Sequence, residues 1–248
     1  YRSEFSQIGM KINDSLTFSD WTEVYKKLVY WELELASTGN QMDDILKMQK
    51  DEANSTFVKF IKRNYEKWFE PGAERPMMSQ DLMHKVVFPL LDQGEKVFFV
   101  VFDNFRFDQW RAVKELFRND YVTENEDLYC AILPTATQYA RNSIFSGLTP
   151  LQIKQMYPQY WVEEEEDEGK NLYEEDLIKT QIDRFRKKYT YSYHKINDSV
   201  TGEKFVGQMS QIMNNQLNVV VFNFVDMLSH ARTDSKMIRE LASDDAAY

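Results

Sequence analysis

The sequence predicts an α/β domain that follows an N-terminal bundle of helices. Two apolar runs, Val97–Phe102 and Val219–Val225, are rich in β-branched and aromatic residues, and each stops on an acid. Runs of this length and composition are typical of strands that are buried on both faces of a parallel sheet. The stretches between them follow helical spacing, and alternating strands and helices favour a parallel sheet.

The first 90 residues carry helical patterns and no strand pattern. The pair Ser19-Asp20 is expected to cap a helix that stops near Gly39. A second helix is expected over Met42–Trp68 and a third over Ser79–Pro89. Their apolar faces predict a small helical bundle over residues 1–90, and such faces can also form a subunit interface.

From residue 94 to residue 248 the expected strands and helices alternate. The predicted strands are 97–102, 128–133, 191–196 and 219–225, and the predicted helices between them are 109–118, 139–145, 172–188 and 204–215. The acidic run Glu163–Glu168 is interpreted as a solvated loop. The carboxyl ends of the strands then form the edge at which open α/β sheets place their ligands.

Composition and charge exclude several classes of protein. The formal net charge is −10 and the pI is about 4.9, with no basic patch, so we expect no duplex DNA binding. Cys130 is the single cysteine, which excludes a disulfide within the chain and fits a reducing cytoplasm. No run approaches the ~18 apolar residues of a membrane span, so no membrane insertion is expected. Because Tyr1 begins amid helix-like sequence, we expect a piece of a longer protein.

Asp103 follows the first predicted strand directly. At the carboxyl end of that strand its carboxylate is expected to face the ligand crevice. A strand-end aspartate can instead cap the next helix, and the sequence leaves both interpretations open.

A threonine is expected at the point where the segment after the second predicted strand enters a helix. Thr135 and Thr137 both lie in this segment. A hydroxyl group there lies in the positive field of the free N–H groups of the helix, which suits a phosphate. It can act as a nucleophile when a metal lowers its pKa, and the alternative is an ordinary N-cap threonine.

Asp226 and His230 offer a carboxylate and an imidazole at positions i and i+4. If Asp226 ends the strand, both side chains can reach one metal ion. The sequence offers no comparable ligand pair at His84 or His194, and both are interpreted as structural or surface residues.

Taken in this order, Asp103, the helix-start threonine and the Asp226-x-x-x-His230 element resemble the alkaline phosphatase superfamily, and its PglZ-type domain in particular. In the related nucleotide phosphodiesterases a glycine follows the nucleophile by about ten residues. Gly147 lies ten residues after Thr137, which favours Thr137 over Thr135.

The resemblance implies a metal-dependent phosphoric ester hydrolase with two divalent ions, and zinc is the expected metal. Asp103 and Thr137 would serve one ion, and Asp226 and His230 the other. The alkoxide of Thr137 would attack phosphorus and form a covalent intermediate.

The resemblance also implies contacts between the substrate phosphate and Arg141 and Asn142, which lie on the same helix as Thr137. The expected substrate is a phosphorylated small molecule or a nucleotide, and phosphomonoesterase and phosphodiesterase activity both remain open. The superfamily uses further ligands that would lie beyond Tyr248. The alkaline-phosphatase-like parallel sheet is therefore expected to be incomplete, and this fragment inactive by itself.

The stretch Tyr25–Leu35 resembles the linker bundle of PorX-type response regulators, which join a receiver domain to a PglZ domain and serve type IX secretion in Bacteroidetes. That resemblance implies a cytoplasmic two-component protein that forms a homodimer. It further implies a histidine kinase, a sigma factor or secretion-machinery proteins as partners.

Two other interpretations remain open. The chain can be a non-catalytic regulatory scaffold that binds partner proteins through its helical bundle and its PglZ-like surface. It can also be a haloacid-dehalogenase-like phosphatase, although that chemistry needs a second aspartate two residues after Asp103, where this chain has Phe105.

Overall fold

A computed structural model describes residues 2–38, 43–163 and 172–241. The predictions at Gly39, at Met42 and at residues 164–168 of the acidic run lie outside these residues. In chain order the described helices and strands are α1 Arg2–Lys11, α2 Phe18–Thr38, α3 Asp43–Asn64, α4 Phe88–Asp92, β1 Val97–Phe102, α5 Phe107–Val113, α6 Thr137–Ser146, α7 Pro150–Met156, α8 Glu174–Arg184, β2 Tyr191–Ile196, α9 Ser199–Ile212, β3 Leu217–Phe222, α10 Phe224–Asp234 and α11 Lys236–Leu241. The α/β fold class with preceding helices is thereby confirmed.

Contacts between residues divide the chain into two compact units, which we call the helical unit and the α/β unit. The helical unit holds the described residues up to Pro76 together with Arg106–Leu128, and the α/β unit holds Met77–Phe105 and the described residues from Tyr129 onward. The segment Arg106–Leu128, which includes α5, therefore belongs to the helical unit although it follows β1 in the chain.

Aromatic side chains form the core of the helical unit. Trp21 of α2 lies edge-on to Phe57 of α3 with ring centroids 5.3 Å apart, and Phe5 of α1 lies 5.3 Å from Trp31 of α2. On α5, Phe107 packs against Tyr25 at 5.8 Å. The predicted helical pattern is thereby borne out for α2 and α3, because their apolar residues do face one another.

The first turn of α2 differs from the prediction that Ser19-Asp20 caps this helix. The backbone N–H of Thr17 donates to the carboxylate of Asp20 at 2.9 Å, and the N–H of Asp20 donates to the hydroxyl of Thr17 at 3.2 Å. This reciprocal pair is a capping box, which satisfies two N–H groups at the helix start. The helix therefore begins at Phe18, and Thr17 is its N-cap residue, while Asp20 of the predicted pair completes the capping box.

The third predicted helix, over Ser79–Pro89, is divided into shorter pieces. A 3-10 turn spans Ser79–Asp81, a π-helical turn spans Met83–Val87, and α4 follows. Pro89 lies in the first turn of α4, where the missing N–H of proline is harmless.

Three parallel strands form the sheet of the α/β unit, in the order β1-β3-β2. Val97 of β1 and Tyr191 of β2 both align with Leu217 of β3, so the three strands run in step to their carboxyl ends. The predicted bounds of β1 and β2 are confirmed. The third strand begins two residues before its predicted start and ends three residues before its predicted end, because the chain enters α10 at Phe224.

The predicted strand over 128–133 is wrong. Of its residues, only Cys130 makes a β-bridge, with Met78. The N–H of Cys130 donates to the carbonyl of Met77 at 2.9 Å, and that of Ile132 donates to the hydroxyl of Ser79 at 3.0 Å. These two N–H groups of the segment therefore bond to the residues around Ser79, and the segment does not pair with the strands of the sheet.

The main core of the α/β unit lies on one face of the sheet. Odd-numbered strand residues such as Phe99 and Val219 pack there against Phe145 of α6 and against Leu177 and Ile178 of α8, which are fully buried or nearly so. This packing fixes α6 and the start of α8 beside the carboxyl edge of the sheet, where the polar residues gather.

Candidate active site at the carboxyl edge of the sheet

Three polar residues form a row directly after the three strands. Asp103 follows β1, Asn223 follows β3 and Asn197 follows β2. The N–H of Asp103 donates to the carbonyl of Phe222 at 3.1 Å, and the N–H of Asn223 donates to that of Ile196 at 3.1 Å, so the ladder continues into this row. The Asn223 amide also donates to the side chain of Asn197 at 3.0 Å. The row therefore presents one carboxylate and two amides at the edge where such sheets bind ligands.

Arg141 of α6 joins two members of this row. Its Nη1 donates to Oδ2 of Asp103 at 3.0 Å and to Oδ1 of Asn223 at 2.7 Å. The Arg141 side chain is only 5% exposed and that of Asp103 is 15% exposed, so the ion pair is largely shielded from water. Arg141 thereby ties α6 to the carboxyl ends of β1 and β3.

Glu174, the first residue of α8, is the second carboxylate at Arg141. Its Oε1 lies 2.5 Å from Nη2 of Arg141, and its Oε2 accepts a hydrogen bond from the hydroxyl of Tyr193 on β2. Glu174 is fully buried. Burial raises its pKa, and this effect outweighs the positive charge of Arg141, which lowers it. Burial and the neighbouring Glu174 also raise the pKa of Tyr193. The ionised form of Glu174 depends on Arg141, because an unpaired buried carboxylate is strongly disfavoured.

Lys195 adds a second cation to this face of the sheet. It aligns with Val221 one residue before β2 ends, on the same face as Tyr193. Burial lowers the pKa of Lys195, and the positive charge of Arg141 also lowers it. The negative charges of Glu174 and Asp103 act in the opposite direction. Within the described part of the chain its ammonium group makes no ion pair. Sequence reasoning missed both Lys195 and Glu174, although the strict alternation along β2 could have placed Lys195 beside Tyr193.

Thr137 is the first residue of α6, and Ala136 occupies the N-cap position. The Thr137 hydroxyl makes no hydrogen bond to any other described residue, so it does not serve as the N-cap that the alternative interpretation requires. The first N–H groups of a helix have no partner within the helix and carry a partial positive charge. Thr137 thus presents a hydroxyl at a positive helix end, one turn before Arg141. Thr135 lies in the exposed loop before the helix.

Asn142 follows Arg141 on α6 and is 6% exposed. It lies in the buried part of this helix, and the contacts of Arg141 with the strand ends are made without it. The structure therefore brings Asp103 and Arg141 together and places Thr137 and Asn142 on the helix that carries Arg141.

Asp226 and His230 lie on α10, so the prediction that Asp226 ends the strand is corrected. The residue at the strand end is Asn223, and Asp226 is in the first turn of α10. Oδ1 of Asp226 lies 3.6 Å from Nε2 of His230, with the side chains 33% and 76% exposed. The two residues share one helix face as their spacing predicts, and neither makes a hydrogen bond or an ion pair with Asp103 or Thr137.

The predicted metal ligands are only partly assembled. Asp226 and His230 place a carboxylate oxygen and an imidazole nitrogen side by side, and these are donors that zinc accepts. Asp103 is held by Arg141, and among residues 2–38, 43–163 and 172–241 no three His, Cys, Asp or Glu side chains form a group that could hold a metal ion. The chemistry of the pair on α10 fits a divalent ion, but these residues do not close a metal centre.

The sequence of the chain matches two protein-family models. Residues 82–248, about two thirds of the chain, match the BREX system PglZ alkaline phosphatase-like domain. This chain belongs to the PglZ alkaline phosphatase-like family. Residues 1–69 match the PorX response regulator linker domain, and this match precedes the PglZ match along the chain. No curated protein matches the chain.

The family assignment agrees with the resemblance that the sequence motifs indicated. Members of the alkaline phosphatase superfamily commonly use divalent metals, and the match indicates hydrolase ancestry for the PglZ domain. In the described part of the chain no helix is long and apolar enough to cross a membrane.

Proposed function

We propose that this chain is the effector part of a two-component response regulator that controls type IX secretion, and that its PglZ domain hydrolyses phosphoric esters. Support comes from the order of the two family matches, in which a response-regulator linker precedes the PglZ domain. The proposed division is a linker and dimerisation bundle over 1–90 and a PglZ domain over 94–248. The proposed partners are a second copy of the chain, and a histidine kinase, a sigma factor or secretion-machinery proteins.

The observation that carries the proposal is the hydroxyl of Thr137. It lies at the positive end of α6 without a hydrogen bond to another described residue, one turn before an arginine that joins two strand ends. A nucleophile needs this combination of an unoccupied oxygen and a nearby positive field for the incoming phosphate.

The residues around Thr137 are proposed to bind the phosphate and to orient the groups that contact it. Arg141 holds the row after the strands in place, and its buried Nε–H has no acceptor among the described residues, so it can donate to a phosphate oxygen. Lys195 is proposed to add positive charge from β2, and Asn142 a second polar contact with the phosphate. Asp103 would keep Arg141 oriented while the negative charge on the phosphate grows.

Divalent ions, zinc in the first instance, are part of the proposal. Asp226 and His230 would hold one ion, with Asp103 and Thr137 proposed for the other, and a bound ion supplies Lewis-acid stabilisation of phosphate oxygens. The expected substrate is a phosphorylated small molecule or a nucleotide. The aromatic residues of the segment Tyr157–Trp161 could stack a base, but Tyr157, Tyr160 and Trp161 pack against the core of the α/β unit, which favours a structural role.

The test compares three variants of the full-length protein in the hydrolysis of bis-p-nitrophenyl phosphate and p-nitrophenyl phosphate. Thr137→Ala removes the proposed nucleophile and should abolish turnover, whereas Thr137→Ser keeps a hydroxyl and should retain part of it. Thr135→Ala is the matched control in the exposed loop and should remain active. Equal turnover by Thr137→Ala and the unsubstituted protein would show that the nucleophile is another group.

The alternative function is a regulatory scaffold without catalysis. It is favoured by the ion pair that occupies Asp103 and by the incomplete donor set among the described residues. A full-length protein that contains no metal by elemental analysis and hydrolyses neither ester would establish the scaffold. Bound metal together with turnover that requires Thr137 would establish the enzyme.

A further inference from the structure

The helical unit contains a cavity whose walls carry an unusual density of positive charge for so acidic a chain. The cavity has a volume of about 280 Å³ and lies among α1, α2 and α5. Lys26, Lys27 and Arg111 contribute three cations to its lining, with Gln7 as a neutral donor and Glu4 as the single acid. The chain as a whole has a net charge of −10, so this concentration of cations is local.

The lysines of the cavity are poorly neutralised. The pKa of Lys27 is lowered chiefly because the ammonium group of Lys11 lies beside it, and this effect outweighs the opposing influence of Glu23 and Glu4. Lys26 has only a distant partner, since its Nζ lies 4.0 Å from Glu23. The ammonium groups of Lys27 and Lys11 repel each other, and a bound anion would relieve this repulsion.

Arg111 also keeps an unused donor. Its Nη2 donates to Glu126 at 2.6 Å, but the same carboxylate also accepts from the indole of Trp110 at 3.0 Å and lies 3.7 Å from Lys114. The Nε–H of Arg111 is buried and has no hydrogen-bond partner in the described part of the chain. Glu126 therefore accepts hydrogen bonds from two donors and faces a nearby ammonium group, and Arg111 keeps one N–H group without an acceptor in the described part of the chain.

We propose that this cavity of the helical unit binds a small phosphate-bearing anion. The guanidinium group of Arg111 and the ammonium groups of Lys26 and Lys27 are the donors that phosphate oxygens take. The volume lies just below the range of ordinary small-molecule sites and accommodates a diphosphate group. Tyr30, half-exposed at the same cavity, offers an aromatic ring beside which a nucleoside could lie. This site is separate from the proposed ester-hydrolysis site, and its existence does not depend on that activity.

The experiment measures binding of inorganic pyrophosphate and of ADP to the chain by isothermal titration calorimetry at low ionic strength. The double variant Lys26→Gln/Lys27→Gln should bind pyrophosphate at least about tenfold more weakly, since charge-assisted hydrogen bonds are lost. The control Lys59→Gln/Lys62→Gln removes the same charge from exposed positions of α3 and should bind as the unsubstituted chain does. Glutamine is a good helix former, so both pairs of substitutions preserve the helices.

A gain of affinity provides the complementary test. Glu4→Gln removes the one acid of the cavity lining and should tighten pyrophosphate binding several-fold. Tighter binding of ADP than of pyrophosphate would identify a nucleotide as the ligand, and equal binding would identify the phosphate groups alone. The proposal is overturned if the unsubstituted chain binds neither compound, or if Lys26→Gln/Lys27→Gln binds pyrophosphate with undiminished affinity.

Discussion

Each of the two units holds a cation at a candidate site, and the two cations are compensated in different ways. In the α/β unit, Arg141 is almost fully buried and faces two carboxylates, Asp103 and Glu174. In the helical unit, Lys27 lines an open cavity with Lys11 beside it, and the influence of Glu23 and Glu4 does not outweigh that of the second lysine. Burial explains the difference, because a buried charge must be compensated within the fold, whereas a solvated charge remains available to a ligand.

The largest effect is expected when the closed network of the α/β unit is broken. Arg141→Met leaves Glu174 and Asp103 without their shared cation and should lower the free energy of unfolding by about 3–5 kcal/mol. Lys50→Met is the matched control in the helical unit, since Lys50 pairs with Glu32 at 2.8 Å and both side chains are about 40% exposed. It should cost less than about 1 kcal/mol. Urea unfolding of both variants checks this, and similar costs would contradict the contrast between the units.

A second contrast concerns the dependence of stability on pH. For Glu126 of the helical unit, burial would raise the pKa, but the Trp110 indole and the Arg111 guanidinium outweigh it and the pKa is lowered. Its contribution to stability is therefore present above the unfolded pKa and is lost as the pH falls through the folded pKa. The pKa of Glu174 is raised by burial, so its ionised form weakens the fold, and this weakening is relieved as the pH falls through the folded pKa.

The two matched glutamine variants should therefore respond to acid in opposite directions. Relative to the unsubstituted chain, the cost of Glu126→Gln should shrink as the pH falls below about 4.3, the ordinary pKa of a glutamate, and that of Glu174→Gln should grow as the pH falls from 7 toward that value. Urea unfolding at several pH values measures both trends. If the costs of both substitutions change in the same direction with pH, burial does not disfavour the ionised form of Glu174.

The smallest expected effect tests the helix start in the helical unit. Thr17→Ala removes the hydroxyl of the capping box and should cost about 1 kcal/mol of stability. Ser19→Ala, at the first residue of the pair that the sequence indicated as the cap, should change stability by less than about 0.5 kcal/mol. Thermal unfolding monitored by circular dichroism distinguishes the two, and a larger loss for Ser19→Ala would restore the original assignment.

Much of the fold was predictable because it depends on local pattern. The bounds of β1 and β2 followed from apolar and alternating runs, and Asp103 lies at the strand end as expected. The end of β3 was misplaced because Phe224 and Val225 continue the apolar run although they belong to α10. Composition cannot distinguish an apolar strand end from an apolar helix start, which only pairing with neighbouring strands decides.

The candidate site was less predictable than the fold. Glu174 is followed by Glu175 and Asp176, and nothing in that acidic stretch distinguishes the buried carboxylate from its neighbours. Its burial results from the packing of α8 against α6 and from the side chains of Arg141 and Tyr193, which come from distant parts of the chain. Long-range contacts of this kind leave no local signal in the sequence.

The order of the strands has a consequence for synthesis on the ribosome. β3 lies between β1 and β2 in the described sheet, yet it is the last of these three strands to be made. More than a hundred residues separate β1 from its partner strand β3. The backbone of β1 therefore has no strand to pair with, and its apolar side chains stay exposed, until β3 has been synthesised. The described part of the helical unit ends at Leu128, and it can therefore fold earlier. A nascent chain of this protein should consequently carry a folded helical part before its sheet exists, and β1 is the segment that a chaperone would need to shield.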